Sequence, residues 1–285
     1  MMQTVADLLT RVIPQLVEAG VDSPRLDAEL LLAHVLGVTR TRLWSYPETP
    51  VSEEQAAAMQ RLLERRVRRE PLAYLLGEWE FYGRTFHVSA AVLIPRPETE
   101  LLVEAVVQWA QAHAARELID VGTGSGAIAV TLAAELPAAQ VTALDLSPTA
   151  LEVAQRNAQR HGVSERMRWY TGDLLHPLLG MAATCDAVVA NLPYIAQAEI
   201  DRLMPEVRDY EPRLALQAED EGLALIRRLI VESPTVLRPG GLIALEVGQG
   251  QADTVAAFLA AQGWQAPWII TDYAGIPRHV LATAP

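Results

Sequence analysis

The segment 191–194, Asn-Leu-Pro-Tyr, carries the most specific chemistry in this sequence. It follows the apolar run 187–190, whose residue types predict a buried strand. At the end of such a strand, the Asn191 side chain and the Leu192 backbone each offer a carbonyl to the two protons of a planar NH2 group. Pro193 would keep the turn rigid, and Tyr194 would cover the face of the bound group. These four residues are the candidate catalytic residues, and amides, adenine and cytosine carry such NH2 groups.

A glycine-rich loop earlier in the chain supplies four candidate cofactor-binding residues, Gly122, Thr123, Gly124 and Gly126. Without Cβ atoms, the backbone of such a loop can pass close to a ligand. Because Ala127 can take the last small position of the dinucleotide pattern, a nicotinamide enzyme is a rival interpretation. A carboxylate at Asp120 repels a pyrophosphate but attracts the ammonium and sulfonium groups of S-adenosylmethionine. A helix-capping role for Asp120 is the structural alternative.

Two further strand ends offer groups to an adenosine. Asp145 follows the predicted strand 141–144, and its carboxylate can bind both ribose hydroxyls, with Leu146 beside it. NAD needs the same contact, so Asp145 does not discriminate between the two cofactors. Asp173 is a candidate for the adenine amino group and Leu174 for a ring contact, although a turn aspartate without a ligand is the alternative. We also expect Asn191 to contact the cofactor.

The two motifs together predict methyl transfer from S-adenosylmethionine to nitrogen. An amide nitrogen is a weak nucleophile because its lone pair is delocalised into the carbonyl. If Asn191 and Leu192 accept its two N–H bonds, the nitrogen is held in line with the methyl group. The developing positive charge then meets preformed dipoles, so no general base is required before transfer. No metal is expected.

Composition excludes several classes of protein. All 23 basic residues are arginine, so Schiff-base chemistry and a P-loop lysine are excluded. The net charge is −12; residues 1–75 hold 10 acidic residues and 9 arginines, which leaves 25 and 14 for residues 76–285. Residues 76–285 hold the candidate catalytic residues, and a region with this much negative charge is a poor general binder of nucleic acid. The single cysteine, Cys185, excludes an internal disulfide, and we interpret it as a small apolar residue that opens a strand.

The sequence has neither a spanning apolar run of about twenty residues nor the pattern of a signal peptide at its start. We therefore expect a cytoplasmic monomer, with no membrane partner and no direct nucleic-acid partner.

Periodicity divides the chain into three parts. Residues 1–75 predict a small helical bundle, with one helix from about residue 5, a second after Ser23-Pro24 that ends at Gly37, and a third from Ser52 to about residue 69. Residues 76–94 predict a β-hairpin linker around a Gly-Arg turn. The arginines of the third helix, Arg61, Arg65 and Arg68, share one face, which is either a solvated surface or a docking site for an acidic protein partner.

From residue 95 to 285, strands and helices alternate, which is typical of a doubly wound α/β domain with a mostly parallel seven-stranded sheet. The predicted strands are 118–121, 141–144, 167–170, 187–190, 242–247, 268–271 and 279–282. The predicted helices are 127–135, 148–160, 223–236 and 252–261. The last two strands indicate an antiparallel hairpin at the sheet edge.

Further motifs accompany the glycine loop and the Asn191 turn. They are 92–100 (Val-Leu-Ile-Pro-Arg-Pro-Glu-Thr-Glu), Tyr210-Glu211-Pro212 with Ala215-Leu216, Gly240-Gly241 leading to Glu246-Val247-Gly248, Gln251, and Asp272-Tyr273-Ala274-Gly275 with Arg278. With these motifs the sequence resembles, over nearly its whole length, the protein-(glutamine-N5) methyltransferases that modify the Gly-Gly-Gln glutamine of peptide chain release factors. The resemblance implies a class I methyltransferase (Rossmann-like) sheet and release factors as partners. It also implies substrate-binding roles beside the cofactor for Pro95, Arg96, Pro97, Glu98, Thr99, Asn191 and Tyr194.

Leu192 departs from the family pattern, in which proline takes this position. Asn-Leu-Pro-Tyr instead resembles the ribosomal RNA adenine dimethyltransferases. Leucine keeps the backbone carbonyl but frees φ and adds an N–H that needs a partner. Two alternatives to a protein glutamine methyltransferase therefore stand: an RNA or DNA adenine N6-methyltransferase, and a noncatalytic module that binds S-adenosylmethionine and docks through its N-terminal helices.

Overall fold

The computed structural model describes residues 3–180 and 184–285. The chain forms two compact units, one of the residues up to Glu78 with Met204–Tyr210, and one of Trp79–Leu203 with Glu211–Pro285. The predicted helical domain, 1–75, ends close to the boundary of the first unit. The segment Met204–Tyr210, which the sequence assigns to the methyltransferase domain, packs with the helices instead.

The first unit is helical apart from one short antiparallel strand pair. With all elements numbered in chain order, it contains β1 (Gln3–Thr4), α1 (Val5–Glu18), α2 (Pro24–Leu36), α3 (Arg40–Ser45), β2 (Pro50–Val51), α4 (Glu53–Val67), α5 (Leu72–Leu76) and α9 (Pro205–Tyr210). The sequence predicts α1, α2 and α4, and α4 begins at a full capping box of Ser52 and Gln55. As predicted, α2 ends at Gly37, which has a φ of +65°. The short helix α3 is missing from the prediction because six residues hold no readable periodicity.

Buried ion pairs join the helices of this unit. Arg66 is only 6% exposed, and its guanidinium donates to Asp27 of α2 at 2.7 Å and to Glu206 of α9 at 3.0 Å. Arg69 binds both carboxylate oxygens of Glu206, at 2.6 and 2.7 Å. These bonds connect α4 to α2 and to a segment that lies far away in sequence.

The second unit begins at Trp79, within a hairpin of β3 (Glu78–Phe81) and β4 (Arg84–His87). Its two turn residues are Tyr82 and Gly83, with φ of +52° and +66°, the geometry that a tight hairpin requires. The predicted Gly-Arg turn is therefore displaced by one residue, because Arg84 already begins β4. Phe81 and Phe86 are buried in the core of this unit, so the hairpin contributes to the core.

A seven-stranded sheet forms the centre of the second unit. Its strands are β5 (Glu117–Val121), β6 (Gln140–Asp145), β7 (Met167–Thr171), β8 (Cys185–Asn191), β11 (Leu237–Glu246), β12 (Gln265–Thr271) and β13 (Pro277–Thr283). Their spatial order is β12-β13-β11-β8-β5-β6-β7. The pairs from β11 to β7 are parallel, whereas β13 runs antiparallel to β11 and β12. This confirms the predicted sheet and its antiparallel terminal hairpin.

Apolar side chains cover both faces of the sheet. The helices of the second unit are α6 (Glu98–Ala112), α7 (Ala127–Glu135), α8 (Pro148–Arg160), α10 (Ala224–Glu232) and α11 (Ala252–Ala261). Residues of α6 and α7 belong to the core cluster on one face, and residues of α10 and α11 to the cluster on the other. This arrangement leaves the ends of the parallel strands free to form a site.

Some elements differ from the prediction for local reasons. The helix α10 ends at Glu232, before the predicted residue 236, because Pro234 cannot donate a backbone N–H. The strand β11 starts at Leu237, before the predicted residue 242, with an irregularity between those two positions. A further short strand pair, β9 (Ile195–Ala196) and β10 (Gln217–Ala218), follows the Asn191 turn and has no periodic signal. Cys185 opens β8 as predicted, and burial raises the pKa of its thiol to about 12, which leaves no reactive thiolate.

Candidate active site

A cleft lies at the carboxyl ends of β5, β6 and β8. It encloses about 1130 Å³, including open solvent at its mouth. Of the predicted site residues, those that line it are Pro95, Arg96, Thr99, Gly122, Thr123, Gly124, Asp145, Leu146, Asp173, Leu174, Asn191, Leu192 and Pro193. The topology therefore brings the glycine loop, the adenosine candidates and the Asn191 turn into one cavity. Asp120, Gly126, Tyr194, Pro97 and Glu98 are not part of its lining.

The three loop glycines have positive φ angles, +75° at Gly122, +55° at Gly124 and +79° at Gly126, but different surroundings. A Cβ on Gly126 would lie 3.0 Å from the Ala154 side chain of α8, so this glycine allows two helices to approach each other. A Cβ on Gly122 would lie 3.0 Å from Leu192 Cδ2. Gly124 has open space beside it, which makes it the glycine whose backbone a ligand can approach most closely.

Asp120 lies beneath this loop and is fully buried. Its Oδ2 accepts the Thr123 hydroxyl at 2.6 Å and the Ala129 N–H at 3.1 Å. Its Oδ1 has no hydrogen-bond partner among the described residues. Burial raises the pKa of Asp120 to about 7, against the opposing effect of the two hydrogen bonds. Asp120 thus holds the glycine loop from below, and it does not line the cavity as a direct ligand-binding residue would.

Asp145 joins the glycine loop to the end of β6. Its Oδ2 accepts the Gly124 N–H and its Oδ1 accepts the Ser147 N–H, both at 2.8 Å. Each carboxylate oxygen has two acceptor positions, so both can still accept a hydroxyl from the cavity. Burial raises the pKa of Asp145 above the usual aspartate value, and the backbone hydrogen bonds oppose this. The neighbouring Leu146 is half-exposed and lines the cavity.

Asp173 and Leu174 lie at the same cavity after β7. Leu174 is buried with a φ of +47°, an uncommon conformation for leucine. The Asp173 carboxylate forms an ion pair of 2.8 Å with Arg228, and both side chains are about half-exposed. An adenine amino group would therefore share Asp173 with Arg228.

The amide of Asn191 faces two polar groups behind the cavity. Its Nδ2 donates to Thr99 Oγ1 at 3.2 Å, and its register partner on β11 is Glu246, whose carboxyl pKa the Asn191 amide lowers. Leu192, only 4% exposed, contributes to the apolar core and to the cavity wall. The orientation of Asn191 is thus fixed by residues outside the turn.

The Asn191 turn ends at Tyr194, whose backbone carbonyl is held by Gln251. Gln251 Nε2 donates to the Tyr194 carbonyl at 3.0 Å, while Gln251 Oε1 accepts the Gly248 N–H at 2.8 Å. Burial raises the pKa of the Tyr194 phenol to about 12, so it is not an acid or base near neutral pH. Because the ring lies outside the cavity lining, its predicted role over an amide plane stays a prediction.

The segment Pro95–Thr99 is held by an ion pair within the second unit. Arg96 Nη2 donates to Glu211 Oε1 at 2.6 Å, and Glu211 is only 4% exposed. The sequence singles out both residues as motif members, yet gives no sign that they meet. Three apolar lining residues, Val92, Leu93 and Pro212, belong to motifs that the sequence singles out, but they receive no role there. The sequence misses the apolar lining residues Phe81, Leu214 and Leu225. Leu214 is 55% exposed, so it forms an apolar rim of the cleft.

Within residues 3–180 and 184–285, no group of three or more acidic, histidine or cysteine side chains could hold a metal ion. In the same ranges, no helix has both the length and the apolar character needed to cross a membrane.

Comparisons with known proteins extend over both units. Residues 7–77 match a family model described as the PrmC N-terminal domain, and residues 118–210 match a model described as a methyltransferase domain. The chain is 43% identical over 265 residues to a release factor glutamine methyltransferase of Geobacter sulfurreducens, covering 93% of this chain and 91% of the relative. It is 40% identical to the protein of the same name from Koribacter versatilis, over 99% of both chains.

Solved structures share the fold at lower identity. The hMettl16 catalytic domain in complex with an RNA hairpin has a TM-score of 0.57 and 17% identity, covering 82% of this chain and 84% of that one. The 16S rRNA methyltransferase RsmC of T. thermophilus, in complex with AdoMet and guanosine, has a TM-score of 0.54 and 18% identity, covering 73% and 50%. These similarities show a class I methyltransferase fold.

Proposed function

This chain belongs to the release factor glutamine methyltransferase family, and from this premise we propose how its cavity performs the reaction. The enzyme uses S-adenosylmethionine to methylate a glutamine side chain of peptide chain release factors. The observation that carries this function is the extent of the identity, 40% over 99% of both chains, so that it includes the helical unit as well as the cavity. From the family resemblance, the target is the amide nitrogen N5 of the glutamine in the Gly-Gly-Gln loop.

We infer that S-adenosylmethionine binds over the loop 122–126. The residues there fit it: Gly124 leaves open space, and Asp145 keeps acceptor capacity for ribose hydroxyls. Asp120 would act through its charge, because a buried carboxylate beneath the loop favours a cationic ligand at short range. The bound cofactor supplies an electrophilic methyl group. Leu174 would contact the adenine ring, and Asp173 would accept its amino group beside Arg228.

The target amide would bind at the Asn191 turn. Asn191 Oδ1 would accept one N–H of the glutamine and the Leu192 carbonyl the other, which fixes the nitrogen and stabilises the positive charge that develops on it. Gln251 supports this geometry by holding the Tyr194 carbonyl. Directly after transfer the amide nitrogen is cationic, with the methyl group and both of its original protons. This cation is a strong acid, so it can lose one proton to water without a dedicated base and become the neutral N-methyl amide.

Leu192 serves in place of the family's proline through packing. Its side chain lies against Gly122, in the apolar core of the second unit, so burial supplies part of the rigidity that the proline ring would give. The position offers its backbone carbonyl in either case. We therefore expect the substitution to affect the rate more than the kind of reaction.

We propose that the helical unit docks the release factor. It contributes no residue to the chemistry assigned above, and Arg61 of α4 and Arg68, which directly follows α4, are exposed. Arg65 is occupied by an ion pair with Glu70 and is less available. The segment Pro95–Thr99 and the apolar rim at Leu214 would receive the glutamine loop itself.

An adenine N6-methyltransferase would also use an Asn-Leu-Pro-Tyr turn. This alternative needs a basic surface for the nucleic acid, whereas residues 76–285 have 25 acidic residues against 14 arginines. The structural neighbours that act on RNA share the fold at only 17–18% identity, and identity this low does not indicate that this chain has the same substrate.

The test is transfer of a labelled methyl group to purified release factors, followed by mass mapping of the modified residue. We expect label on the Gly-Gly-Gln glutamine alone, and more efficient transfer to the whole factor than to a free glutamine peptide. Label on RNA with none on protein would contradict the function. Equal transfer to the peptide and the factor would contradict only the docking role.

A further inference from the structure

Three polar side chains lie in a row across adjacent strands behind the cavity. Asn191 of β8 is the register partner of Glu246 of β11, and Glu246 is the register partner of His279 of β13. Register partners on adjacent strands project to the same face of a sheet. Glu246 is 2% exposed and His279 is fully buried, so the row is enclosed by protein.

The Glu246 carboxylate is shared between two sides of this row. On one side it faces the Asn191 amide and the Thr99 hydroxyl, which both lower the pKa of the carboxyl, and Glu246 Oε2 has no hydrogen-bond partner among the described residues. On the other side its Oε2 lies 3.8 Å from His279 Nε2. Asn191 Nδ2 donates to Thr99 Oγ1 at 3.2 Å, so the NH2 end of this amide is directed at Thr99.

We propose that Glu246 is a positioning residue that determines which end of the Asn191 amide faces the cavity. An ionised carboxylate only accepts hydrogen bonds, so it selects the orientation with NH2 toward Glu246 and Oδ1 toward the target. The two ends of an amide have nearly the same shape, and only the hydrogen-bond network distinguishes them. A reversed Asn191 would present a donor to the NH2 group of the substrate and could not bind it. This role rests on the proposed function of the Asn191 turn.

The groups that face Glu246 come from several elements. They are Glu98 and Thr99 of α6, Asn191 at the end of β8, Tyr194 of the turn, and Arg278 and His279 of β13. Burial raises the pKa of Glu246 to about 7; Glu98 acts in the same direction, whereas Thr99, Arg278 and Asn191 oppose it. Burial lowers the pKa of His279 to about 4, so the neutral ring faces Glu246 near neutral pH.

This arrangement makes the orientation depend on pH. Above about pH 7, ionised Glu246 accepts the Asn191 N–H and holds the productive orientation. When the pH falls through this value, the carboxylic acid gains an O–H that can donate to Asn191 Oδ1 and so favour the reversed amide. We therefore expect kcat for the release factor to fall on acidification through about pH 7.

The first test compares Glu246→Gln with Asp186→Asn in the full-length enzyme. Asp186 is a matched control, because it is a buried carboxylate near the opposite end of β8. In Glu246→Gln, the new side chain can donate to Asn191 as well as accept from it. We therefore expect kcat to fall roughly ten- to hundredfold with little change in KM. The fall of kcat at acidic pH should also disappear from the pH profile. Asp186→Asn should keep the wild-type kcat and pH profile. A wild-type kcat and acidic limb in Glu246→Gln would overturn the proposal.

The second test observes the side chain directly and does not depend on catalysis. The Asn191 NH2 resonances can be assigned by their loss in Asn191→Asp. In the wild-type protein we expect these resonances to titrate near pH 7. In Glu246→Gln they should shift and no longer titrate. If that variant does not fold, we expect them to shift in the near-isosteric Thr99→Val. Resonances unchanged by these substitutions and by pH would refute the role of Glu246, whereas an inactive wild-type enzyme with the expected resonances would refute only the proposed function.

Discussion

Replacing Asp145 with Ala tests the cofactor site in the most quantitative way. The Asp145 carboxylate accepts the Gly124 and Ser147 N–H groups, both at 2.8 Å, and keeps acceptor positions for two ribose hydroxyls. A hydrogen bond to a charged acceptor contributes about 1.5 to 3 kcal/mol. Because about 1.4 kcal/mol corresponds to a factor of ten in affinity, loss of even one ribose contact lowers affinity at least about tenfold. Release of the Gly124 N–H adds to this loss.

Calorimetry with S-adenosylmethionine measures the effect, and Asp173→Ala is the matched comparison. Asp173 is about half-exposed and already paired with Arg228, so its contact with adenine is screened and we expect a smaller loss of affinity. Asp145→Asn should lie between the wild type and Asp145→Ala, because it keeps one acceptor oxygen. Unchanged affinity in Asp145→Ala, with a wild-type melting temperature, would refute the assignment of the ribose site.

Three further predictions follow from other parts of the molecule. Arg66→Ala leaves buried Asp27 without its guanidinium, while Glu206 keeps its bonds to Arg69. Unfolding of the helical unit should therefore become easier by about 3 to 5 kcal/mol in denaturant titrations. Replacement of exposed Arg61 with Ala should be neutral, and equal effects of the two variants would contradict this account of the ion pairs. Because the pKa of Asp120 is raised, its contribution to stability is complete below the unfolded pKa of 3.8 and is lost as the pH rises through about 7. The melting temperature should therefore decline with rising pH between these values, and Asp120→Asn should flatten that decline. An unchanged decline in this variant would refute the raised pKa. Leu192→Pro should hold or raise kcat, since it stiffens the turn and keeps the backbone acceptor; a large loss would mean that the leucine N–H or side chain has a role that proline cannot fill.

The sequence predicts the elements well where local signals are strong. The helices at 127–135, 148–160 and 252–261 have the bounds of α7, α8 and α11, and Ser147 with Pro148 begins α8 as a capping residue and a first-turn proline should. The strands of the sheet follow from continuous apolar runs that are bounded by turn residues. Their order across the sheet follows from the rules of α/β folds more than from any one residue.

Long-range contacts could not be predicted in the same way. Arg66 and Glu206 lie 140 residues apart and Arg96 and Glu211 lie 115 residues apart, and an arginine in a polar stretch carries no sign of its partner. Glu246 is part of a motif, but its register with Asn191 exists only once β8 and β11 pair. The sequence thus identifies the residue types of the site, while the fold determines which of them meet.

The direction of a side chain at a strand end is likewise decided by the fold. The sequence places Asp120 and Tyr194 next to ligand-binding segments, yet Asp120 turns beneath the glycine loop and Tyr194 lies outside the cavity lining. Asp120 is still within β5, where its partners Thr123 and Ala129 hold the carboxylate, whereas Tyr194 lies beyond the end of β8, where the alternation of side chains along a strand no longer determines direction.

The most direct test of the proposed chemistry is the single-turnover rate of methyl transfer to the Gly-Gly-Gln glutamine of a release factor by Asn191→Ala. Removal of one preorganised polar partner of the transition state should lower this rate about a hundredfold, while calorimetry shows nearly unchanged affinity for S-adenosylmethionine. Full turnover of the glutamine by Asn191→Ala would place the reacting site elsewhere, and a loss confined to RNA substrates would favour the adenine methyltransferase instead.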